Sequence, residues 1–502
     1  MDRIVLNWLD RAVQQYKDKT AYMDTERSLT FEEADRISRI VGAFLQGQGA
    51  VPGSPVVVMG ARSVYTPACF LGVVRAGCFY APADAEMPAG RLRQILEVID
   101  APYMIVSRMF LEKARELGFA GKMFVLEEIL EQGDPESYDP GPAERMTENA
   151  PLYVIFTSGS TGKPKGVITS HYSLMCYIDA VQSVLGLDET DVLGNQAPLD
   201  YIAAVRDIYL PLYTGASSVI IPKNEFAMPD RLFRTINEKG VTTLCWSTAG
   251  LEIAARLGAF ACEVPQKLRR VIFSGAVISN KALRTWQDHL PETRFINQYG
   301  PTEATASCTW YEVKEKAEED TRLPIGRPYP HYKIILLDEQ GKEPAPGQPG
   351  EICVGGPVLA LGYYKDPERS AASFVQNPLN TAYRDLIYRT GDLGKYREDG
   401  LLEFLGRMDR QIKHLGHRIE LDEIEIAALQ VKDVEECCAL YDAEKSLLYL
   451  FYSGQATAKE IALQFRAQMP AFMVPRKIKK LDVLPKLPNG KTDMRSLREM
   501  FS

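Results

Sequence analysis

Before about residue 405, short apolar runs alternate along the chain with longer stretches of helical periodicity. Pro55-Val56-Val57-Val58-Met59, Leu152-Tyr153-Val154-Ile155-Phe156, Ser218-Val219-Ile220-Ile221 and Arg270-Val271-Ile272-Phe273 read as buried strands, and Arg91 to Ile99 reads as a helix. That rhythm predicts an α/β architecture of stacked sheets. A Pro/Gly-rich segment, Glu343 to Gly350, followed by alternating apolar strands predicts a β-rich subdomain appended to the main sheets. Near Asp409 the pattern changes again: Gly406-Arg407-Met408-Asp409 leads into Gln411-Ile412-Lys413 and a helical pattern from Asp422 to Gln430. The expected division is therefore a large N-terminal domain, 1–408, and a small α+β domain, 409–502. No internal repeat or low-complexity tract interrupts either part.

Composition changes this picture little. Of 502 residues, 46% are hydrophobic and 25% charged, which is ordinary for a soluble globular protein long enough for more than one domain. The net charge of −8 gives no support to a nucleic-acid partner. The start lacks a basic segment followed by an apolar one, and no run is long enough to span a bilayer, so the expectation is a cytoplasmic protein without a membrane partner. Nine cysteines stand singly except Cys437-Cys438, and five histidines lack HxH or HExxH spacing. That argues against a metal cluster, a zinc site and a disulfide framework. Arg476, Lys477, Lys479 and Lys480 form a basic cluster that is either a dock for an acidic partner or a solvated face.

The densest chemical signal follows the strand at Leu152 to Phe156. Thr157-Ser158-Gly159-Ser160-Thr161-Gly162-Lys163-Pro164-Lys165-Gly166 combines glycines that let a backbone approach phosphate, hydroxyl donors and two cations. This composition suits polyphosphate and points to ATP. It is not a P-loop: Thr157 stands where that pattern needs its first glycine, and Pro164 where it needs a magnesium-binding hydroxyl.

Seven segments in order then carry a resemblance: Ala76-Gly77-Cys78-Phe79-Tyr80-Ala81-Pro82, the loop above, Asn297-Gln298-Tyr299-Gly300-Pro301-Thr302-Glu303, Gly350-Glu351-Ile352, Tyr388-Arg389-Thr390-Gly391-Asp392-Leu393, Gly406 to Lys413, and Pro488-Asn489-Gly490-Lys491. Over nearly its whole length the chain resembles the adenylate-forming enzymes, specifically the amino-acid-activating enzymes of nonribosomal peptide synthesis and the D-alanine–carrier protein ligases. The resemblance implies an acid–thiol ligase that uses ATP and Mg²⁺. Thr157, Ser158, Gly159, Ser160, Thr161, Gly162 and Lys163 would hold the β- and γ-phosphates. Thr302 would contact the α-phosphate, and Glu303 would help bind Mg²⁺. Tyr299 would stack on adenine, with Gly275, Ala276 and Val277 on the other side and Asn297, Gln298 and Gly300 nearby. Asp392 and Arg407 would bind the ribose. Lys491 is the implied catalytic residue, and Asp409 the hinge of a mobile small domain.

The chemistry agrees with those residue types. A carboxylate must gain a leaving group before a thiol can attack it, and attack of its oxygen on the α-phosphorus needs positioning and charge neutralisation more than a nucleophilic side chain. No evident Ser-His-Asp or Cys-His constellation is present. Magnesium favours carboxylate and phosphate oxygens.

One departure bears on the substrate. The aspartate that pairs with an α-ammonium in amino-acid-activating relatives stands thirteen residues before a glycine that here is Gly215, and Ile202 occupies that place. Either Asp200 replaces it or the anchor is missing. The same alignment implies a pocket of Ala203, Arg206, Trp246, Ile272, Ser274, Gln298, Ala306 and Ser307. Arg206 is either a receptor for a second carboxylate or other acceptor, or a partner of Asp207 that faces away; Trp246 is either a flat pocket wall or core. The leading expectation is loading of an amino acid or related small carboxylic acid on the phosphopantetheine thiol of a separate carrier protein. The alternatives are an acyl-CoA synthetase and a catalytically silent scaffold.

Overall fold

The computed structural model describes residues 2–159, 163–318, 322–443, 445–487 and 492–501. The chain forms two compact units: Met1–Ala85 with Ile99–Ile155 and Gly166–Met408, and Glu86–Val98 with Phe156–Lys165 and Asp409–Ser502.

The first unit contains two large, mainly parallel sheets. One has nine strands in the order Arg327–Pro328, Thr309–Val313, Arg294–Tyr299, Arg270–Ser274, Thr243–Ser247, Val192–Asn195, Ser217–Ile220, Thr20–Met23 and Ser28–Thr30. The other has seven, with Phe79–Pro82, Pro55–Met59 and Tyr103–Val106 at positions four to six from its Gly362–Tyr363 edge. The central strands read as unbroken apolar runs because parallel strands are covered on both faces. One apolar cluster joins the two sheets, uniting Val56, Tyr80 and Tyr153 with Leu193, Cys245, Ile272 and Ile296. Helices fill the space between and around them. Phe31–Gly47 starts on a reciprocal Thr30/Glu33 capping box. Ala204–Thr214 stops at Gly215, where φ is +77° and a Cβ would come within 2.3 Å of the Tyr16 ring. No other residue type fits that turn.

The Pro/Gly-rich signal marks a third, five-stranded antiparallel sheet. Lys333–Leu337 pairs Gly350–Gly355, which pairs Leu386–Tyr396, and the last also pairs Phe374–Gln376 and Leu402–Arg407. The architecture is thus α/β with an added β-rich part.

In the second unit, Val434–Asp442, Leu447–Gly454 and Lys477–Lys480 make a three-stranded sheet, and Gln411–His414 pairs His417–Glu420. The helices Leu421–Leu429 and Ala458–Gln468 cover that sheet through Ile424, Ala428, Ile461 and Phe465. The helix Ala89–Ile99 is where periodicity places it, and Glu86–Val98 belongs to this unit. Its tie is a buried ion pair, Arg91 to Glu423 at 2.7 Å, across 332 positions of sequence that carry no local signal of the pairing. Among the described residues, no helix is long and apolar enough to cross a membrane.

Candidate active site

Four neighbouring parallel strands of the nine-stranded sheet end at Asn195, Ser247, Ser274 and Tyr299. Ligands of open parallel sheets bind beyond such carboxyl ends. Register decides which side chains share a face. Cys245, Ile272 and Ile296 are paired neighbours, as are Trp246, Phe273 and Asn297, and then Ser247, Ser274 and Gln298. Since successive residues point to opposite faces, Ile272, Ser274 and Gln298 share one face and Trp246 and Asn297 lie on the other.

This corrects the expectation for Trp246. It is fully buried in a second apolar cluster, edge-on to Phe226 and Trp286, with its Nε1 donating to the Gly194 carbonyl at 2.8 Å. Trp246 is core, not pocket wall. Asn297, expected near the nucleotide, donates through Nδ2 to the Pro324 carbonyl at 2.9 Å.

The last residue of the Arg294–Tyr299 strand reaches the β-rich sheet. The buried Tyr299 hydroxyl donates to Asp392 Oδ2, and Arg407 Nη1 donates to Asp392 Oδ1 at 2.7 Å and to the Thr390 carbonyl at 2.9 Å. Asp392 and Arg407 sit directly opposite on paired strands. Burial and the Asp392 carboxylate push the Tyr299 phenol well above its usual range, so it stays a donor. Asp392 is 3% exposed, and a carboxylate oxygen can accept from more than one donor, a hydroxyl included. Glu351 fixes the approach: its carboxylate accepts from the Gly391 amide at 3.0 Å and from Arg389 Nε at 2.8 Å. The Gly350-Glu351-Ile352 segment was visible as a motif, but only the fold shows what its carboxylate holds.

After Tyr299 the chain turns sharply. A Cβ on Gly300 would stand 2.5 Å from Ser307 Cα, so glycine is required where the two backbones meet. The short turn Thr302–Ala304 follows, then Thr305 and Ala306 with φ of +50° and +68°. Such non-glycine conformations cost on the order of 1–3 kcal/mol each and persist only where surroundings enforce them. Thr305 Oγ1 donates to the Val358 carbonyl at 2.7 Å, and the Tyr332 hydroxyl reaches the Ala304 and Thr305 carbonyls at 3.2 Å. This frame holds Thr302, 7% exposed, and Glu303, which is fully buried. Glu303 Oε1 accepts from the Tyr363 hydroxyl at 2.8 Å, a partner that sequence reading missed. Among the described residues no ready-made group of three metal-ligating side chains exists. A magnesium ion that brings its own waters and phosphate oxygens needs only one or two protein carboxylates, and Glu303 fits that requirement.

The proposed acyl side lies at the start of the Ala204–Thr214 helix. Ile202 is buried in the main cluster, Ala203 is partly buried, and Ala306 and Ser307 are buried. Burial, then the neighbouring Asp84 carboxylate, pushes the Asp200 carboxyl up. Arg62, also missed from sequence, ties down the preceding loop by donating to the carbonyls of Asn195, Gln196, Ala197 and Ile221. Arg206 is 1% exposed. Its Nη1 donates to Gln298 Oε1, Gln298 Nε2 donates to the Tyr329 hydroxyl, and Ser307 Oγ donates to Gln298 Oε1 at 3.2 Å. It does not pair with Asp207, whose Oδ2 accepts from Asn195 Nδ2 at 2.7 Å. Consecutive helical residues do not face one another, which is why that pairing fails. Gly275, with φ of +99°, leads the loop after the Arg270–Ser274 strand; Ala276 is half-buried and Val277 is 79% exposed.

The hydroxyl- and glycine-rich loop belongs to the second unit. Ser158 Oγ donates to the Arg418 carbonyl at 2.8 Å, and Arg91 Nη2 to the Thr157 carbonyl at 3.4 Å. Thr157 Oγ1 is buried and has no hydrogen-bond partner, an orphaned hydroxyl that suits a phosphate oxygen. Burial pushes the Glu423 carboxyl up against the pull of Arg91 and of the Gly159 amide. Lys163 is exposed. Ser160, Thr161, Gly162 and Lys491 lie outside the described residues. At the start of the C-terminal part, Asp409 Oδ1 accepts from the Gln411 amide at 3.1 Å.

The chain belongs to the AMP-binding enzyme family, whose model matches residues 9–364. Among its relatives it is 32% identical to tyrocidine synthase 1 of Brevibacillus parabrevis, over 98% of this chain and 44% of that one. It is also 31% identical to bacitracin synthase 1 of Bacillus licheniformis, over 96% of this chain and 9% of that one. The chain thus spans less than half the length of these curated relatives. Its fold is that of the Vibrio cholerae adenylation domain AlmE, solved in complex with glycyl-adenosine-5'-phosphate: the TM-score is 0.84 at 22% identity, covering 100% of this chain and 98% of that one.

Proposed function

We propose that the chain activates a small carboxylic acid or amino acid as its acyl-adenylate and then passes the acyl group to the phosphopantetheine thiol of a carrier protein. The observation that carries this reading is the Tyr299–Asp392–Arg407 cluster beside the buried Glu303, a set of polar groups with no structural need for burial together. In the first step a substrate carboxylate oxygen bonds to the α-phosphorus of ATP, the bond to the β-phosphate oxygen breaks, and pyrophosphate leaves. In the second the thiol sulfur attacks the acyl carbon, loses its proton, and AMP departs.

Each residue has a task suited to its chemistry. Asp392 accepts the ribose hydroxyls, with Arg407 holding it in place and offering a second ribose contact. Tyr299 presents a flat face to adenine while its hydroxyl stays on Asp392. Thr302 donates to the α-phosphate, and Thr157 with the rest of its loop holds the outer phosphates. Glu303 binds Mg²⁺, which when bound neutralises charge on the phosphate oxygens. Lys491 bridges the substrate carboxylate and α-phosphate, offsetting the repulsion between two anions. Asp409 is the hinge between a large domain, 1–408, and a mobile small one, 409–502.

The test is to supply the chain with ATP, its acid and either a phosphopantetheinylated carrier protein or coenzyme A, and to read thioester by intact mass. Carrier acylation faster than acyl-CoA formation is expected; acyl-CoA as the sole thioester would overturn the carrier reading and leave the adenylation step standing.

A further inference from the structure

Arg206 is a buried cation whose guanidinium makes no ion pair with any described residue. Its first-turn position opposes the helix dipole of Ala204–Thr214. The adjacent Asp207 carboxylate acts on it through space but makes no hydrogen bond to it. Burial raises the Cys245 thiol and the Tyr177 hydroxyl to about 12 despite the pull of the guanidinium, so both are neutral, and Asp207 is turned to Asn195. A buried charge lacking a partner costs several kcal/mol, as a rough general figure, and is retained only where something offsets it.

The geometry specifies what would do so. Nη1 is committed to Gln298 Oε1, and the Gln298 amide is itself fixed by Tyr329 and Ser307. Nε is buried and has no hydrogen-bond partner. The side of the guanidinium left over is the Nε–Nη2 edge, where two parallel N–H groups match the two oxygens of a carboxylate. Gln298 ends on the same sheet face as Ser274, one residue before the Tyr299 that holds Asp392. Through Gln298 the guanidinium is thus tied to the strand end that leads into the carboxyl-end site.

We infer that Arg206 receives a second carboxylate of the substrate, so that the acid activated here is a dicarboxylate or an amino dicarboxylate. This rests on the proposed acid-activating function. Arg206 is a specificity residue: it grips the carboxylate that does not react, and Gln298, Ser307 and Tyr329 hold its orientation.

The test uses matched pairs differing only at the far group: aspartate and asparagine, glutamate and glutamine, succinate and its monoamide, glutarate and its monoamide. Wild-type ATP–pyrophosphate exchange should favour the best acid over its amide by at least about 100-fold in kcat/KM, as expected where a site's buried donors would otherwise go unpaired. Arg206→Gln should cut that preference to below about tenfold, mainly through KM, and Arg206→Lys should restore part of it. The wild-type comparison needs no variant to fold. Wild-type exchange as good or better with the amides, or with acids lacking any second carboxylate, would overturn the inference and leave adenylation intact. If no acid supports exchange, calorimetric binding of the same dicarboxylates decides: binding that weakens at least about tenfold in Arg206→Gln upholds the receptor while adenylation falls, and absent binding overturns both.

Discussion

Lys491→Ala should slow acyl-adenylate formation by about 10²–10³-fold, the usual cost of removing one group that stabilises developing charge in a transition state. The reacting partners are a carboxylate and a triphosphate, and both are anions. Their approach is opposed at the atoms that must bond, so an ammonium brought between them would act where the barrier lies. On the proposed function nucleotide binding is assigned instead to Asp392, Arg407, Tyr299 and the Thr157 loop, and should be largely kept. Single-turnover adenylate formation beside calorimetric ATP binding separates the two effects. An unchanged rate would remove Lys491 from the chemistry, and loss of ATP binding alone would make it a binding group.

Glu303→Gln should lower kcat by about 100-fold and move the Mg²⁺ requirement to higher concentration. The substitution is nearly isosteric, and a glutamine oxygen can still accept from the Tyr363 hydroxyl that now lies 2.8 Å from Glu303 Oε1. What is lost is the negative charge of a fully buried carboxylate. The turn should therefore survive, held by its own bonds to Val358 and Tyr332, while the metal loses its protein ligand. Exchange rate against Mg²⁺ concentration reads this directly. A variant with the wild-type Mg²⁺ profile would show that Glu303 serves the turn and not the metal.

Much of the fold was legible because it is written locally. The run Arg270 to Phe273 is a strand, Arg91 to Ile99 lies in a helix, and the Glu343 to Gly350 segment leads into the antiparallel sheet. The Thr157 loop and Asp392 stood out as candidates for a different reason: several residues of unusual type stand together. What stayed hidden depends on register and on distance in sequence. Trp246 and Ile272 look equally apolar in the chain, and only the pairing Cys245 to Ile272 and Trp246 to Phe273 sends Trp246 to the far face. Arg206 meets Gln298 across 92 positions, and Glu303 meets Tyr363 across 60. No periodicity encodes which buried polar group will find which, because that follows from the packing of whole sheets.

The account turns on acid-dependent adenylation, and ATP–pyrophosphate exchange tests it most directly. With Mg²⁺ and a panel of amino acids, dicarboxylates, aryl acids and short fatty acids, incorporation of labelled pyrophosphate into ATP should appear only when a fitting acid is present. Exchange that proceeds without any acid, or that no acid in the panel elicits, would contradict the account.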